Sequence, residues 1–341
     1  MPGITGVHSK AMTVFYLGML YDYGDPARGW SFEERNFYQP LERLGRERQW
    51  RLRRFDFMQI GKQLGRDRMS EMLWEAVRKE KPDALISILF DPQHDPDMEV
   101  IGRISRETNT TTINWFCDDH WRFENYSRHI APNFNFIVTT DSQAVGKYQS
   151  IGMSGRVIKS QWGCNHRQYH PMACTKDLEV TFVGQPHGNR VETVRRLSNQ
   201  GIALRVFGHG WNDAPRLPFH EMVRVFNRSR INLNLSNSSQ PGFRQQIKGR
   251  NFEIPGAGGF LLTSDADNLE EYYADKKEIV IFRSEDELAE LIPYYLKNDA
   301  AREAIAKAGY ERTIREHTWE RRWTDILNQC EFAVSRVRPV A

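Results

Sequence analysis

The feature that most constrains the fold of this chain is a repeated alternation of short apolar segments with helical ones. Each apolar segment is strand-sized, rich in β-branched or aromatic residues and bounded by turn residues. Six strands are predicted in the first half of the chain, at Thr13–Leu20, Trp50–Phe57, Asp83–Phe90, Thr111–Phe116, Phe134–Thr140 and Arg156–Gln161. Five more are predicted in the second half, at Leu178–Val183, Ala203–Phe207, Ile231–Leu235, Gly259–Thr263 and Glu278–Phe282. This alternation favours an α/β fold with two doubly wound parallel sheets.

The two series of strands set the domain boundaries. We predict one Rossmann-like domain over residues 12–165, a linker over 166–176 and a second Rossmann-like domain over 177–318. A last helix, within residues 319–341, is expected to pack back on the first domain. Open α/β sheets bind ligands beyond the C-terminal ends of their strands, so two such domains facing across a cleft would hold a ligand between them. Many unrelated activities use this plan, so architecture alone does not choose a function.

The composition argues against several classes of protein. The chain has 341 residues, of which 40% are hydrophobic, which is enough for two cores. No apolar run reaches the ~18–20 residues of a membrane span, and the first residues lack a signal pattern, so we predict a cytoplasmic protein. A net charge of +3 does not favour a nucleic-acid partner. The four cysteines form no CxxC pair, which argues against a zinc site or a disulfide framework.

The most informative segment covers residues 240–265 and reads QPGFRQQIKGRNFEIPGAGGFLLTSD. It contains three cations, Arg244, Lys248 and Arg250, ahead of a glycine cluster. A short helix beginning near Lys248 would point its first N–H groups into the cleft, and the cations would add charge-assisted bonds to a diphosphate. Glu253, about one turn further on, carries a carboxylate suited to the vicinal hydroxyls of a ribose. The plain alternative is a solvated basic helix followed by an ordinary glycine turn.

Two further loops of the second domain follow predicted strands and contain glycines. Gly184 follows the first strand of that domain, and Arg190 opens the next helix, where its guanidinium would clamp a diphosphate. His209, Gly210 and Trp211 follow the second strand; the glycine permits close approach of the backbone, and either ring could pack on a base. A surface arginine and a buried core tryptophan are the structural alternatives.

Several stretches of the chain resemble a known family. In the second half they are Lys248-x-Arg250-x-Phe252-Glu253-x5-Gly259, Glu271–Tyr273, Ser284–Leu288, Ala306–Tyr310, His317–Thr318 and Arg321. In the first half they are Phe90–Pro92, Trp115–Phe123 and Ser160–Asn165. Over roughly residues 85–325, the chain resembles the CgeB (spore maturation protein) family, with its glycosyltransferase-1-type C-terminal domain.

The resemblance implies a GT-B fold, with an acceptor-side N-terminal domain and a nucleotide-sugar donor held by the C-terminal domain. It places Asn251, inside the matched motif, on the donor side. Relatives in the wider retaining group carry two glutamates eight positions apart, and the second matches Glu253. Gln245 stands where the first would fall. The resemblance implies retention of anomeric configuration, although the amide of Gln245 leaves the sugar and the stereochemistry open.

The candidate catalytic residues on the acceptor side are Asp118, Asp119 and His120, which follow a predicted strand. Two carboxylates and an imidazole at such a place can act as a general base or a sugar clamp. A capping turn without a catalytic role is the alternative. Further acceptor-side candidates are Tyr21 and Asp22 in the loop after the first strand, and Asp91 after the third.

The densest positive charge lies in one segment, at Arg43, Arg46, Arg48, Arg51, Arg53 and Arg54. A solvated helix end followed by an edge strand would explain it. An anionic acceptor or a membrane surface would also suit it, so peripheral membrane contact stays open.

Together these observations predict a sugar transferase that uses a UDP-, GDP- or dTDP-linked donor. The protein supplies the positive charge, so we expect neither a metal nor a tightly bound cofactor. The acceptor is a hydroxyl of a glycan, a protein or a small molecule. Two alternatives stay open: a nucleotide-sugar epimerase or hydrolase on the same fold, and a non-catalytic nucleotide-sugar-binding protein.

Overall fold

The computed structural model describes residues 11–211 and 216–332, which form two parallel sheets. The strands of the first sheet are β1 (Thr13–Leu17), β2 (Arg51–Phe55), β3 (Ala84–Ser87), β4 (Thr111–Phe116), β5 (Phe136–Thr139) and β6 (Val157–Lys159). Those of the second are β7 (Leu178–Val183), β8 (Leu204–Phe207), β9 (Ser229–Asn234), β10 (Leu261–Ser264) and β11 (Val280–Phe282). The orders are β2-β1-β3-β4-β5-β6 and β11-β10-β9-β7-β8. The prediction of two doubly wound parallel sheets is confirmed.

Both sheets reverse strand order at the same place. In the first, β2 and β3 lie on opposite sides of β1; in the second, β8 and β9 lie on opposite sides of β7. Loops leaving neighbouring strands at such a switch point run in opposite directions and open a crevice beyond the carboxyl ends of the strands. A ligand is therefore expected to bind in the crevices at β1/β3 and β7/β9.

Helices connect the strands. The α-helices are α1 (Gln39–Glu47), α2 (Phe57–Leu64), α3 (Arg66–Glu80), α4 (Met98–Glu107), α5 (Asp119–Arg122), α6 (Arg128–Ile130), α7 (Ala144–Tyr148), α8 (Arg190–Asn199), α9 (Phe219–Arg228), α10 (Arg250–Gly256), α11 (Glu285–Lys297), α12 (Asp299–Glu316) and α13 (Trp319–Gln329). Single π-helical turns cover Glu34–Tyr38, Phe123–Ser127 and Gln149–Met153. The sequence analysis did not predict α2 or the helical run that begins with α5.

Alternating side chains of the buried strands supply separate hydrophobic clusters on the two faces of each sheet. In β4, Ile113 and Trp115 pack on one face, whereas Phe116 packs on the other. Both faces of the first sheet are covered, so its central strands are buried on both sides.

Helix α13 packs on the first domain although it follows the second in sequence. Trp319 and Trp323 are fully buried in the cluster that contains Trp115, and the ring centroids of Trp115 and Trp319 are 5.4 Å apart. The chain passes between the domains twice, near Cys164 and again near His317. These two crossings lie side by side, since the Cys164 N–H donates to the His317 carbonyl over 2.8 Å. Residues 333–341 of the predicted last segment lie outside the described residues.

Candidate active site

Three cations of the second domain meet at the β7/β9 switch point. Arg190 begins α8 and is buried; its Nη2 donates to the carbonyl oxygens of Leu235 and Asn237, at 2.8 and 3.2 Å. The guanidinium carbons of Arg190 and Arg250 lie 5.5 and 5.8 Å from the ring centroid of Phe182. Both guanidiniums therefore sit on one aromatic ring beyond the carboxyl ends of β7 and β9.

The pKa shifts of these cations indicate an unneutralised positive site. Burial, together with the charge of Arg250, lowers the pKa of Arg190 to about 9. Burial also lowers the pKa of Lys248 to about 7, with Arg190 and Arg250 acting in the same direction and Asp118 opposing them. Within residues 11–211 and 216–332, none of the three cations forms an ion pair with a carboxylate. Such a cluster favours an anion.

The glycine loops allow the ends of β7 and β8 to approach closely. Gly208 has a φ of +133°, and a Cβ at this position would lie 2.5 Å from the carbonyl oxygen of Gly184. Trp211 is buried, and its Nε1 donates to the same carbonyl over 2.7 Å. The structure therefore places Trp211 in a packing role rather than on a base, whereas His209 and Gly210 are exposed beside it.

Glu253 lies in α10 and is buried at the same end of the second domain. The Tyr169 hydroxyl donates to its Oε1 over 3.0 Å. Burial raises the pKa of Glu253 to about 7, against the charge of Arg250 and the bond from Tyr169. A Cβ on Gly249 would lie 3.1 Å from Glu253 Oε1, so only a glycine leaves this side of the carboxylate open.

Arg244 differs from its predicted role as a diphosphate ligand. Its guanidinium forms ion pairs with Asp141 of the first domain and Asp267 of the second, the latter at 3.1 Å. The Ser142 backbone N–H also donates to Asp267, at 3.0 Å. We call Arg244, Asp141 and Asp267 the interdomain latch. Arg244 joins the domains because its guanidinium pairs with one carboxylate from each of them.

Asn251 and Gln245 also take positions that the sequence did not indicate. Asn251 is buried, accepts a bond from the Lys248 N–H at 2.8 Å and donates to the Thr263 hydroxyl at 3.1 Å. Its amide is occupied in holding the backbone at Lys248, so it acts on the site indirectly. Gln245 is exposed, while the neighbouring Gln246 donates to Asp118 across the cleft at 3.2 Å.

The turn after β4 brings two of its three predicted residues to the cleft. His120 Nε2 lies 2.8 Å from the Ser238 hydroxyl of the second domain. Burial lowers the pKa of His120 to about 4, so the ring is neutral at physiological pH. Asp118 contacts Gln246 of the same second-domain segment. An imidazole and a carboxylate of one domain thus face the cations of the other.

Asp119 points away from the cleft, in contrast to the prediction of a catalytic role. It is 1% exposed and accepts bonds from the hydroxyls of Thr139 and Tyr148, at 2.6 and 2.9 Å. Burial raises its pKa to about 6 despite these bonds. Adjacent residues at a helix start face different directions, so Asp119 anchors the turn and Asp118 projects from it.

The remaining acceptor-side candidates lie around the β1/β3 switch point. Asp22 forms an ion pair with Arg216 of the second domain at 3.0 Å, and Tyr21 is half-buried beside it. Asp91 lies 2.7 Å from His94 Nδ1. Although burial opposes it, bonds from the Gln93 N–H and His94 hold the pKa of Asp91 below its usual value.

The sequence analysis missed three residues at the cleft: Glu33, Tyr169 and Ser238. Glu33 lies at the start of the helical segment that begins at Phe32, and its Oε2 is buried without a hydrogen-bond partner among the described residues. Its place beyond the carboxyl end of β1 is the one signal that could have marked it. Nothing in the local pattern distinguishes Tyr169 or Ser238.

Two further observations limit the site. Across residues 11–211 and 216–332, no group of three or more histidine, cysteine or carboxylate side chains is arranged to hold a metal ion. In the same part of the chain, no helix is long and apolar enough to cross a membrane.

Comparisons with known proteins identify the fold. The chain is similar to sucrose-phosphate synthase from Thermosynechococcus elongatus, with a TM-score of 0.66 at 12% identity over 95% of this chain and 100% of that one. It is also similar to Anabaena HepE in complex with UDP and glucose, with a TM-score of 0.64 at 10% identity over 94% and 100% of the two chains. The chain has the GT-B fold.

Other comparisons with the GT-B chain agree with this result. A putative UDP-N-acetylglucosamine 2-epimerase from Listeria monocytogenes superposes with a TM-score of 0.57, at 10% identity over 97% of this chain and 100% of that one. Residues 189–328 match the family model described as glycosyl transferase-like. That match covers the second domain from residue 189 onward, without β7, together with nearly all of α13. The finer resemblance to the CgeB family stays a prediction. No curated protein sequence matches the chain.

Proposed function

We propose that the protein is a glycosyltransferase that moves a sugar from a nucleoside diphosphate sugar to an acceptor hydroxyl. The observation that carries the proposal is the cluster of Arg190, Lys248 and Arg250 at the β7/β9 switch point. The desolvated charges form no ion pair with a carboxylate among the described residues. Their pKa values are lowered because burial disfavours the charged form of each side chain. A diphosphate supplies the missing negative charge. The glycosyl transferase-like match over residues 189–328 covers this cluster.

The cluster also fits the chemistry of transfer. Breaking the bond between the sugar and the diphosphate leaves its electron pair on the departing phosphate oxygen, so negative charge grows there in the transition state. Lys248, Arg190 and Arg250 stabilise that charge without reorganising, because the fold already holds them in place. Positive charge from the protein performs the role that a divalent cation has in other transferases.

The other cleft residues divide between the nucleotide and the sugar. Glu253 accepts hydrogen bonds from the ribose hydroxyls, in exchange for the bond from Tyr169. Asp118 and the neutral imidazole of His120 face the donor domain from the opposite side and hold sugar hydroxyls. We propose UDP as the nucleotide, since HepE superposes over nearly the whole chain and its structure contains UDP and glucose.

A panel of nucleoside diphosphates and their sugars, screened by thermal shift and then by product analysis, tests the proposal. UDP at a hundred times its Kd should stabilise the fold by about 2.7 kcal/mol. Release of UDP from a UDP-sugar, with the sugar appearing on an added acceptor or on water, supports transfer. Conversion of the donor to an isomer without UDP release would instead show an epimerase. Binding of no nucleoside diphosphate would contradict the proposal.

A further inference from the structure

Glu33 lies at the start of a helical segment that contains a π turn. The helical segment that follows the β1 loop begins at Phe32, and Glu33 directly precedes its π-helical turn, Glu34–Tyr38. Single π turns within helices are frequent at functional sites because the extra residue shifts the register of the side chains. The Glu33 carboxylate interacts with Tyr16 of β1 and with Cys117, which follows β4, whereas Glu34 pairs with Arg54 at 2.6 Å.

The surroundings of Glu33 show that this segment faces the donor domain. A Cβ on Gly249 would lie 3.6 Å from Phe32 Cζ and 3.1 Å from Glu253 Oε1, so Phe32 abuts the start of α10. The charge of Arg216, from the second domain, reaches the Glu33 carboxylate as well. Glu33 thus lies on the N-terminal side of the cleft, opposite the donor residues.

The carboxylate itself has an unfilled hydrogen-bonding position. Oε2 of Glu33 is buried and has no partner among residues 11–211 and 216–332. A buried acceptor without a donor is costly, and native proteins keep one mainly where a ligand or a water completes it. Ser31 and the backbone N–H of Glu33 hydrogen-bond the carboxylate. The titratable groups that interact with it are Asp22, Arg216, Tyr16 and Cys117, and among these Arg216 carries positive charge.

We infer that Glu33 is the catalytic base: its carboxylate binds the attacking hydroxyl of the acceptor and takes its proton. The inference rests on the proposed function. In this step the acceptor oxygen forms a bond to the anomeric carbon while the bond from that carbon to the diphosphate breaks. The proton moves to Glu33, and the electron pair of the broken bond remains on the diphosphate.

The electrostatic environment of Glu33 suits this role. Burial, with a smaller contribution from the charge of Asp22, raises its pKa to about 7, against hydrogen bonds from its own backbone N–H and from Ser31 and the charge of Arg216. A general base works best when its pKa lies near the working pH. A single displacement with an acceptor activated by Glu33 and attacking from the face opposite the diphosphate inverts the anomeric centre, so we expect inversion, in contrast to the retention that the family resemblance implies.

Glu33→Gln tests the inference, since glutamine has the shape of a protonated glutamate. The assay follows UDP release from whichever UDP-sugar the wild type turns over. We expect kcat to fall ~10²–10⁴-fold with the UDP Kd and melting temperature unchanged. The activity of the wild type should decrease below pH 7, whereas the residual activity of the variant should not change over this range. Glu34→Gln is the control: it breaks the pair with Arg54, so it should lower the melting temperature and leave kcat unchanged.

The outcomes separate this inference from the proposed function. Wild-type turnover of Glu33→Gln, or a product that keeps the donor's anomeric configuration, would overturn the role of Glu33 and leave the transferase intact. Absence of donor turnover in the wild type would remove both. If Glu33→Gln does not fold, Glu33→Asp replaces it. This variant should have a lower kcat, and its remaining activity should still decrease below pH 7. A wild-type rate would count against the inference.

Discussion

Tyr169 donates its hydroxyl proton to Glu253 Oε1 over 3.0 Å. The donor belongs to the segment between the two domains and the acceptor to α10, so the bond ties that segment to the candidate nucleotide site. The bond satisfies one oxygen of a carboxylate whose pKa is raised by burial to about 7. A ribose would compete with Tyr169 for Glu253.

Glu253→Ala should weaken UDP binding about ten- to a hundredfold, because a charge-assisted bond is worth ~1.5–3 kcal/mol. Tyr169→Phe removes the same internal bond and should leave the affinity for UDP intact. Isothermal titration of both variants with UDP and with 2′-deoxy-UDP separates the roles. The wild type should discriminate against the deoxy compound and Glu253→Ala should not. Equal loss of stability in both variants, with unaltered UDP affinity, would make Glu253 a structural residue.

Arg244→Ala should open the cleft. The substitution leaves the largely buried carboxylates of Asp141 and Asp267 without their shared cation, so the contact between the domains should become less stable. We expect a larger radius of gyration in small-angle X-ray scattering and faster proteolysis between the domains. Arg283→Ala is the matched control, since its partners Glu270 and Asp275 lie within the second domain. An unchanged radius for Arg244→Ala would show that the latch does not hold the domains.

Asp118→Asn and Asp119→Asn should have opposite effects. Asp118 faces the donor domain, so its variant should lose turnover at an unchanged melting temperature. Asp119 is an internal acceptor whose folded-state pKa of about 6 lies above its ordinary value. Ionisation of Asp119 therefore costs stability as the pH rises to 6, and the neutral Asn variant should not show this loss. Rate measurements beside melting curves at pH 4.5 and 7 check both; loss of turnover in Asp119→Asn alone would reverse the assignment.

UDP binding should take up a proton above pH 7. The free protein holds the pKa of Lys248 near 7 because of burial and neighbouring cations, and a bound diphosphate raises it. Between pH 7 and 9 the affinity should therefore fall as the pH rises. Calorimetry at pH 8 in two buffers of different ionisation enthalpy measures the uptake. Lys248→Arg, which stays charged, should bind UDP without a net change in protons; an uptake equal to that of the wild type would assign the proton elsewhere.

Local sequence signals were enough for the elements of the fold. Helix α11 begins with a signal that the local sequence contains: Ser284 accepts from the Glu287 N–H at 3.1 Å, and the Glu287 carboxylate accepts from the Arg283 N–H at 2.8 Å. The buried strands were equally clear, since their apolar runs end at turn residues. Helix α2 was missed although Asp56 caps it, because the apolar start of the helix was assigned to the preceding strand.

The site was less predictable because long-range contacts decide it. Sequence placed Lys248, Arg250 and Glu253 in one segment, and the fold adds Arg190 through the switch point. The sequence alone could not show that Arg244 would pair with two carboxylates from different domains. The same limit applies to Glu33, whose carboxylate interacts with residues distant in sequence, such as Cys117 and Arg216.

Lys248→Met is the most direct test of whether the cluster of Arg190, Lys248 and Arg250 binds the diphosphate. The substitution removes a desolvated charge from beside Arg190 and Arg250, so the melting temperature should rise, while UDP affinity should fall about ten- to a hundredfold. Lys307→Met, on the exposed surface of α12, is the control and should change neither quantity. Titration calorimetry with UDP and melting curves of the three proteins give the answer. Wild-type UDP affinity in Lys248→Met would contradict the claim.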